Sequence, residues 1–398
     1  MTKGSIYSEI TPSELDPIAI IAQKYNNDPS PKKVDLSIGV YKPENGDAKY
    51  TFPSVKLAKK DIFENDQGHP YHYMSGWPEF IAGAQETVFG KNDKSNVTSI
   101  QTISGTGAVH IGIEFLRELG LTEFYVGNPA WGNYESMIKS CNSNVNFFNH
   151  YDNETGKADI DSLFKTIDTM PTDGVLLLQG CCHNPTGADY TNEQWEQIAE
   201  KVRSRGVFVM FDLAYQGFGS GDKDKDAYGV RHFHKQNLEF IVCESFSKNM
   251  GLYGERLGCL HVVSNDKQNL NNISNLLVNI FRAQCSFAPL FGARIASNIF
   301  RDFKQQWDED VYAVYERLSD LRIKIAEKFK KLGTPGNWDS ILKQNGLFWF
   351  TDLTPQQIDT LINEYHIYLP YNGRFNVAGF NNANLDYVIE SIDEVVRK

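Results

Sequence analysis

The chain has 398 residues, 41% of them hydrophobic and 22% charged, a balance that suits a globular protein with room for more than one domain. Its net charge of −11, without any basic run, argues against nucleic-acid binding. No apolar run reaches transmembrane length, residues 1–10 carry no targeting pattern, and the six scattered cysteines suit a reducing compartment, so no membrane span is expected and the cytoplasm is the expected location.

In chain order, residues 1–47 read as irregular, with turn signals at Asp16-Pro17-Ile18 and Asn26-Asn27-Asp28-Pro29. Gly39 interrupts a short apolar stretch, where a glycine either allows a ligand to approach the backbone or marks a plain bulge. Residues 54–65 and 78–89 predict helices. Between them, the ring-rich run 69–78, which contains Tyr71, predicts a loop with exposed aromatics. A third helix opens within residues 101–110 and runs to about 119 on the spacing of its apolar positions. The small residues Gly105-Thr106-Gly107 at its start suit an anion or simply cap the helix. His110 stands where the third glycine of a dinucleotide fingerprint would be, so that signal fails.

Apolar runs then alternate with helices. Residues 124–126 predict a strand, with Trp131 in the loop that follows; 174–178 predict another, followed by the loop 179–187 with Asn184. Cys181-Cys182-His183 lies in that loop, but no second ligand pair follows at zinc spacing and no metal is expected. A capping box formed by Thr191 and Gln194 opens a helix to 205. Residues 206–211 predict a strand ending at Asp212, with Tyr215 just beyond, and 240–243 predict the strand before Lys248. This pattern reads as an α/β fold with a mostly parallel sheet buried on both faces. Ligands of such sheets sit beyond the carboxyl ends of the strands, where Trp131, Asn184, Asp212, Tyr215 and Lys248 all fall.

The stretch 244–258 carries the most chemistry. A lysine just past a buried strand can be desolvated, which lowers its pKa and frees its amine to form Schiff bases with carbonyls; the plain alternative is an ordinary solvated surface lysine. Ser245 and Arg256 flank Lys248, and both suit a phosphate. A lysine beside phosphate holders is what pyridoxal 5'-phosphate needs. Asp212 closes an apolar strand, where a carboxylate requires a partner. A protonated pyridine nitrogen would be one, a pairing that would make the cofactor a better electron sink, while a helix cap or a buried Asp–Lys pair is the plain alternative. Farther on, 276–283 predict a helix with Arg282 near its end, 286–289 a loop, and 299–331 one long amphipathic helix joining two domains. From 344 the pattern turns to strand, helix, two strands and a last helix, a smaller α+β domain. Arg374 starts its second strand segment at 374–377 and could clamp a carboxylate with two prongs.

Taken together, Asp16-Pro17-Ile18, Ile38-Gly39-Val40-Tyr41, Tyr71 with Gly76-Trp77-Pro78, Ser104-Gly105-Thr106-Gly107, Asn128-Pro129-Ala130-Trp131, the loop 180–187, the run 211–217, Ser247-Lys248-Asn249 with Arg256, Arg282, and Gly373-Arg374 resemble one family in order and over essentially the whole chain. The family is the class I aminotransferases of fold type I, and within it the aspartate aminotransferase group. The resemblance implies a large pyridoxal-phosphate-binding domain over 48–315, and a smaller one from 1–47 and 316–398. It also implies a homodimer with shared active sites and reversible transamination between L-aspartate and 2-oxoglutarate, with an aromatic aminotransferase as the alternative.

By the same resemblance Lys248 forms the Schiff base and carries the proton. Asp212 holds the pyridinium nitrogen, Tyr215 and Asn184 bond the ring oxygen, and Trp131 stacks on the ring. Gly105, Thr106, Ser245 and Arg256 cradle the phosphate, with Tyr71 of the partner subunit. Arg374 binds the α-carboxylate, Arg282 of the partner subunit binds the side-chain carboxylate, and Gly39, Ser286 and Phe348 line the substrate pocket. The peptide bonds before Pro129 and Pro185 are expected to be cis. Three departures stand out: Tyr134 and Gln179 replace histidines expected near Asp212, and Phe287 replaces an asparagine.

Overall fold

In the computed structural model, which describes residues 5–11 and 16–398, the apolar runs pair into a seven-stranded sheet. Residues 1–4, part of the stretch read for targeting, lie outside that description. The strands are β1 (Val97–Ile103), β2 (Glu123–Asn128), β3 (Asn144–Asn149), β4 (Gly174–Gln179), β5 (Phe208–Leu213), β6 (Phe240–Ser245) and β7 (Leu257–Val263). Their order across the sheet is β1-β7-β6-β5-β4-β2-β3. Only β7 runs against its neighbours, β1 and β6; the other pairs are parallel. Every residue of β6 and β7 is buried, as a sheet covered on both faces requires. Helix α2 (Ser104–Glu118) lies on β6 and β7 and begins directly at the end of β1, so its amino terminus opens at the sheet edge where β6 ends.

Several elements differ from their sequence expectation. Asp16-Pro17 is a helix start: Asp16 Oδ1 accepts from the N–H groups of Ile18 and Ala19, and Pro17 takes the first position of α1 (Pro17–Asn27), where its missing N–H costs nothing. β1, β3 and β7 had no clear signal. β1 and β3 are polar at about every second position and sit at the sheet's two ends, so pairing with a neighbour outweighs their weak propensity. The helix opened by the capping box is α3 (Asn192–Arg205), and the helix expected at 276–283 is α4 (Leu270–Cys285), with Arg282 in its last turn. The long helix expected at 299–331 is two. α5 (Leu290–Asp302) ends at Phe303, whose φ of −125° leaves the helical region while its ring packs on the core, and α6 (Lys304–Leu332) follows.

α6 buries Trp307, Val311, Val314, Leu318, Leu321, Ile325 and Phe329, a stripe at helical spacing. Its Trp307 indole donates to the Asn249 carbonyl at 2.6 Å, which ties α6 to the residue after Lys248. Beyond α6, Phe348–Phe350 pairs antiparallel with Arg374–Asn376, and Val34–Asp35 pairs in parallel with Ile367–Tyr368, so segments from both ends of the chain share one small layer. Among the described residues, no helix is long and apolar enough to cross a membrane.

Candidate active site

Gly105, Thr106, Trp131, Asn184, Asp212, Tyr215, Ser245, Lys248 and Arg256 line one cavity of about 90 Å³ at the carboxyl ends of β2, β4, β5 and β6. Larger hollows of about 470 and 280 Å³ exist elsewhere, but neither gathers a buried lysine, a buried carboxylate and an anion cradle. The peptide bonds before Pro129 and Pro185 are cis, as expected.

The cradle forms where α2 begins. Ser104 and Arg256 both hold left-handed φ angles, 64° and 54°, a conformation that costs a non-glycine residue roughly 1–2 kcal/mol. They fix one another: Ser104 N donates to the Arg256 carbonyl at 2.8 Å, and Arg256 Nη2 donates to Ser104 Oγ at 2.6 Å. A Cβ on Gly258 would meet the Ser104 carbonyl at 2.4 Å, and one on Gly105 would fall 2.7 Å from Ser245 Cβ. Helix N–H groups, the hydroxyls of Thr106 and Ser245, and one guanidinium therefore face a common space, an arrangement suited to a phosphate. Ser104 and Ser247 also line it, and sequence reasoning assigned neither a role. Ser104 stood in the glycine motif, but no spacing announces its bond to Arg256.

Lys248 Nζ stands 5.2 Å from the centre of the Tyr215 ring. Burial lowers its pKa; the Asp212 charge works against that shift, while Arg256 and Arg374 add to it. Asp212 is buried, and desolvation pushes its pKa up to about 6 although Tyr134 and Lys248 both pull it down. Tyr134 Oη donates to Asp212 Oδ2 at 2.5 Å, and the Tyr134 ring meets Trp131 edge-on with centroids 5.2 Å apart.

Gln179, at the other position where the resemblance expects a histidine near Asp212, does not bond that carboxylate. It lies opposite Asp212 in the β4–β5 register, yet its amide turns into its own loop, donating to the Asn184 carbonyl and accepting from the Asn184 N–H. In the same loop Cys181 and Cys182 come near Asp226, whose carboxylate already accepts from Gly217 N, Gly219 N and Ser220 Oγ; His183 stacks on His150 instead.

Arg374 is buried next to the cleft. Nη1 donates to Asn184 Oδ1 at 3.0 Å, Nη2 donates to the Ser37 carbonyl at 2.6 Å, and Nε is a buried donor without a partner among the described residues. Its guanidinium lies 4.2 Å from the Phe348 ring centre, and a Cβ on Gly39 would meet that ring at 2.8 Å. Tyr71, Arg282 and Ser286 are not among the described residues that line this cleft. All three are exposed, and Tyr71 stacks on Phe287 with centroids 4.8 Å apart.

Residues 31–392 match the family model for aminotransferases of class I and II. The cytoplasmic aspartate aminotransferase of Schizosaccharomyces pombe is 36% identical over 98% of both chains. The structure of aspartate aminotransferase from Saccharomyces cerevisiae cytoplasm superposes with a TM-score of 0.95 at 36% identity, covering 98% of each chain. That of an aromatic-amino-acid aminotransferase from Burkholderia pseudomallei, covalently bound to pyridoxal phosphate, also gives a TM-score of 0.95, at 30% identity over 99% of this chain and 100% of that one. With the match running through the whole cleft, from the α2 cradle to Arg374, the chain belongs to the class I and II aminotransferases.

Proposed function

We propose that this aminotransferase is an aspartate aminotransferase: it uses pyridoxal 5'-phosphate to exchange the amino group of L-aspartate with 2-oxoglutarate, giving oxaloacetate and L-glutamate. The observation that carries the proposal is the convergence of Lys248, with its lowered pKa, the buried Asp212 and an anion cradle in one cleft bordered by Arg374.

The residues fit the cofactor. The space over Gly105 is one a Cβ would close, and Thr106, Ser245 and Arg256 supply donors for a phosphate. Asp212, with one side-chain hydrogen bond among the described residues, matches a protonated pyridine nitrogen. The cofactor, when bound, supplies an electron sink for the charge that develops at the substrate α-carbon. Lys248 Nζ takes the proton from that carbon and returns it, since burial disfavours its own charge. Trp131 would cover a face of the cofactor's ring, and Tyr215 and Asn184 would hydrogen-bond its oxygen. Arg374 receives the α-carboxylate beside Gly39 and Phe348.

The proposal extends to a homodimer with shared sites, in which Tyr71, Arg282 and Ser286 complete the cleft of the partner subunit. Their exposure outside their own cleft supports this. We take residues 48–315 as the cofactor-holding domain and 1–47 with 316–398 as the second, and the cytoplasm as the location, in line with the cytoplasmic relative. A second reading, aromatic donors, is favoured by Phe287, which sets a ring where the resemblance expects an amide.

The test is steady-state kinetics with aspartate, phenylalanine and tyrosine against 2-oxoglutarate. Arg282→Leu is expected to lower kcat/KM for aspartate by about two to three decades, because an unpaired carboxylate in a partly dry pocket costs on the order of 3–5 kcal/mol. Phenylalanine should lose much less. Equal losses for all donors would overturn the dicarboxylate assignment, and a parent that prefers phenylalanine or tyrosine would establish the second reading.

A further inference from the structure

We infer that Gln179 is a positioning residue: its amide holds Asn184 where Asn184 can brace Arg374. The inference rests on the aminotransferase reading above. Gln179 Nε2 donates to the Asn184 carbonyl at 2.9 Å, and Gln179 Oε1 accepts from the Asn184 N–H at 2.8 Å. Both bonds go to the main chain of one residue, so they fix its orientation as well as its place. Asn184 lines the cleft, and its Oδ1 accepts from Arg374 Nη1 at 3.0 Å. The base of this clamp is firm, because Gln179 ends β4 in register with Asp212 and Gly180 N donates to the Asp212 carbonyl at 2.9 Å. The far end of the loop has its own brace in Asp189, which accepts from the N–H groups of Cys182 and His183. Gln179 therefore acts locally, on Asn184, which faces both the ring site and the carboxylate-binding arginine. Gln179 also lines the cavity, but both polar atoms of its amide are engaged by the Asn184 main chain.

Every substrate of the reaction carries an α-carboxylate, so a loosened Asn184 should weaken all of them alike. Gln179→Met keeps the side-chain length and loses both bonds; KM is expected to rise about five- to twentyfold for aspartate, phenylalanine and 2-oxoglutarate together, with kcat within about threefold of the parent. The apo-protein's Kd for pyridoxal 5'-phosphate, followed by fluorescence quenching, should rise at least about threefold, because Asn184 also lines the ring site. Gln179→Glu keeps the acceptor and loses the donor, so it should fall between parent and Gln179→Met; it carries the same comparison if the methionine variant does not fold. Unchanged KM and Kd in a folded variant, even with a lowered Tm, would make Gln179 merely structural and overturn the inference. So would a loss confined to kcat or to one donor. A parent that neither binds the cofactor nor transaminates would instead overturn the aminotransferase reading, and this inference with it.

Discussion

Tyr134 Oη lies 2.5 Å from Asp212 Oδ2, and both residues are buried. Burial and the neighbouring Asp212 charge push the phenol's pKa far up, so Tyr134 stays protonated and is a fixed donor, where an imidazole would titrate. Desolvation raises Asp212 to about 6 even with that donor in place. The working form of Asp212 is the carboxylate, and removing a hydrogen bond to the charged form raises the pKa further. Tyr134→Phe should therefore raise the Asp212 pKa of the cofactor-free protein by about one unit, the worth of one buried hydrogen bond, read from the carboxyl-carbon NMR shift against pH. An unmoved midpoint would show that Tyr134 only fills space. Much of this scale was legible in the sequence. Lys248, Asp212, Asn184 and Trp131 are residue types that carry chemistry, and the strand ends placed them together. What Gln179 bonds was not legible: register set it opposite Asp212, but the backbone of its loop decides where the amide points. The Arg256–Ser104 bond spans 152 positions and depends on two left-handed residues, which leave no mark in spacing.

Between β6 and β7 the sheet holds a buried acid–base pair. Glu244 Oε2 lies 3.1 Å from His261 Nε2, and His261 Nδ1 lies 2.8 Å from Ser99 Oγ, with both side chains fully buried. Burial raises Glu244 well above the usual carboxyl range and depresses His261 to about 3. In the fold the pair thus keeps one proton, on the carboxyl, facing a neutral imidazole. Unfolded, the two groups titrate near 4.3 and 6.5. Between those values both states hold one proton, and the pair's contribution does not change with pH. Above about 6.5 the unfolded chain releases its proton while the folded pair retains it, so stability falls by up to about 1.4 kcal/mol per pH unit. Below about 4.3 the unfolded chain takes a second proton, and stability falls again until His261 itself titrates near 3. Glu244→Gln removes the retained proton. Urea unfolding at fixed protein concentration from pH 7 to 9 should then show a slope flatter than the parent's by up to that amount. Equal slopes would mean that Glu244 is ionised inside the sheet. No sequence signal pointed to this pair, because β7 itself was not recognised. Strands β4, β5 and β6 were legible as near-continuous apolar runs; β7 begins immediately after the Arg256 turn and carries the polar His261 at its centre. α1 was missed for a different reason: Asp-Pro serves a turn and a helix start equally well, and only the capping bonds of Asp16 distinguish them.

At the scale of the whole molecule, the exposed groups support the proposed second subunit. Phe63, Tyr71 and Tyr73 are 86%, 85% and 66% exposed, and Arg282 stands exposed in the last turn of α4. Aromatic surface of this kind, close in sequence, marks an interaction face more often than bare solvent contact. If the face joins two copies about a twofold axis, each copy's Arg282 can reach the other's cleft, and reciprocity makes both sites depend on both chains. Lys248→Ala removes the base from a subunit's own cleft and leaves its Arg282 to offer; Arg282→Asp does the reverse. Each variant alone should be inactive toward aspartate. In a heterodimer, the cleft of the Arg282→Asp chain keeps Lys248 and receives Arg282 from the other copy, so one of the two sites is whole. An equal mixture that exchanges subunits at random is half heterodimer, so activity should recover to about a quarter of the parent's. Differently tagged chains, co-purified in tandem, verify the exchange. If Arg282 serves its own cleft, no mixed dimer contains a complete site and the mixture stays as inactive as its parts. Absence of recovery in verified heterodimers would therefore remove Arg282 from the partner's site and leave its exposure without a catalytic reason.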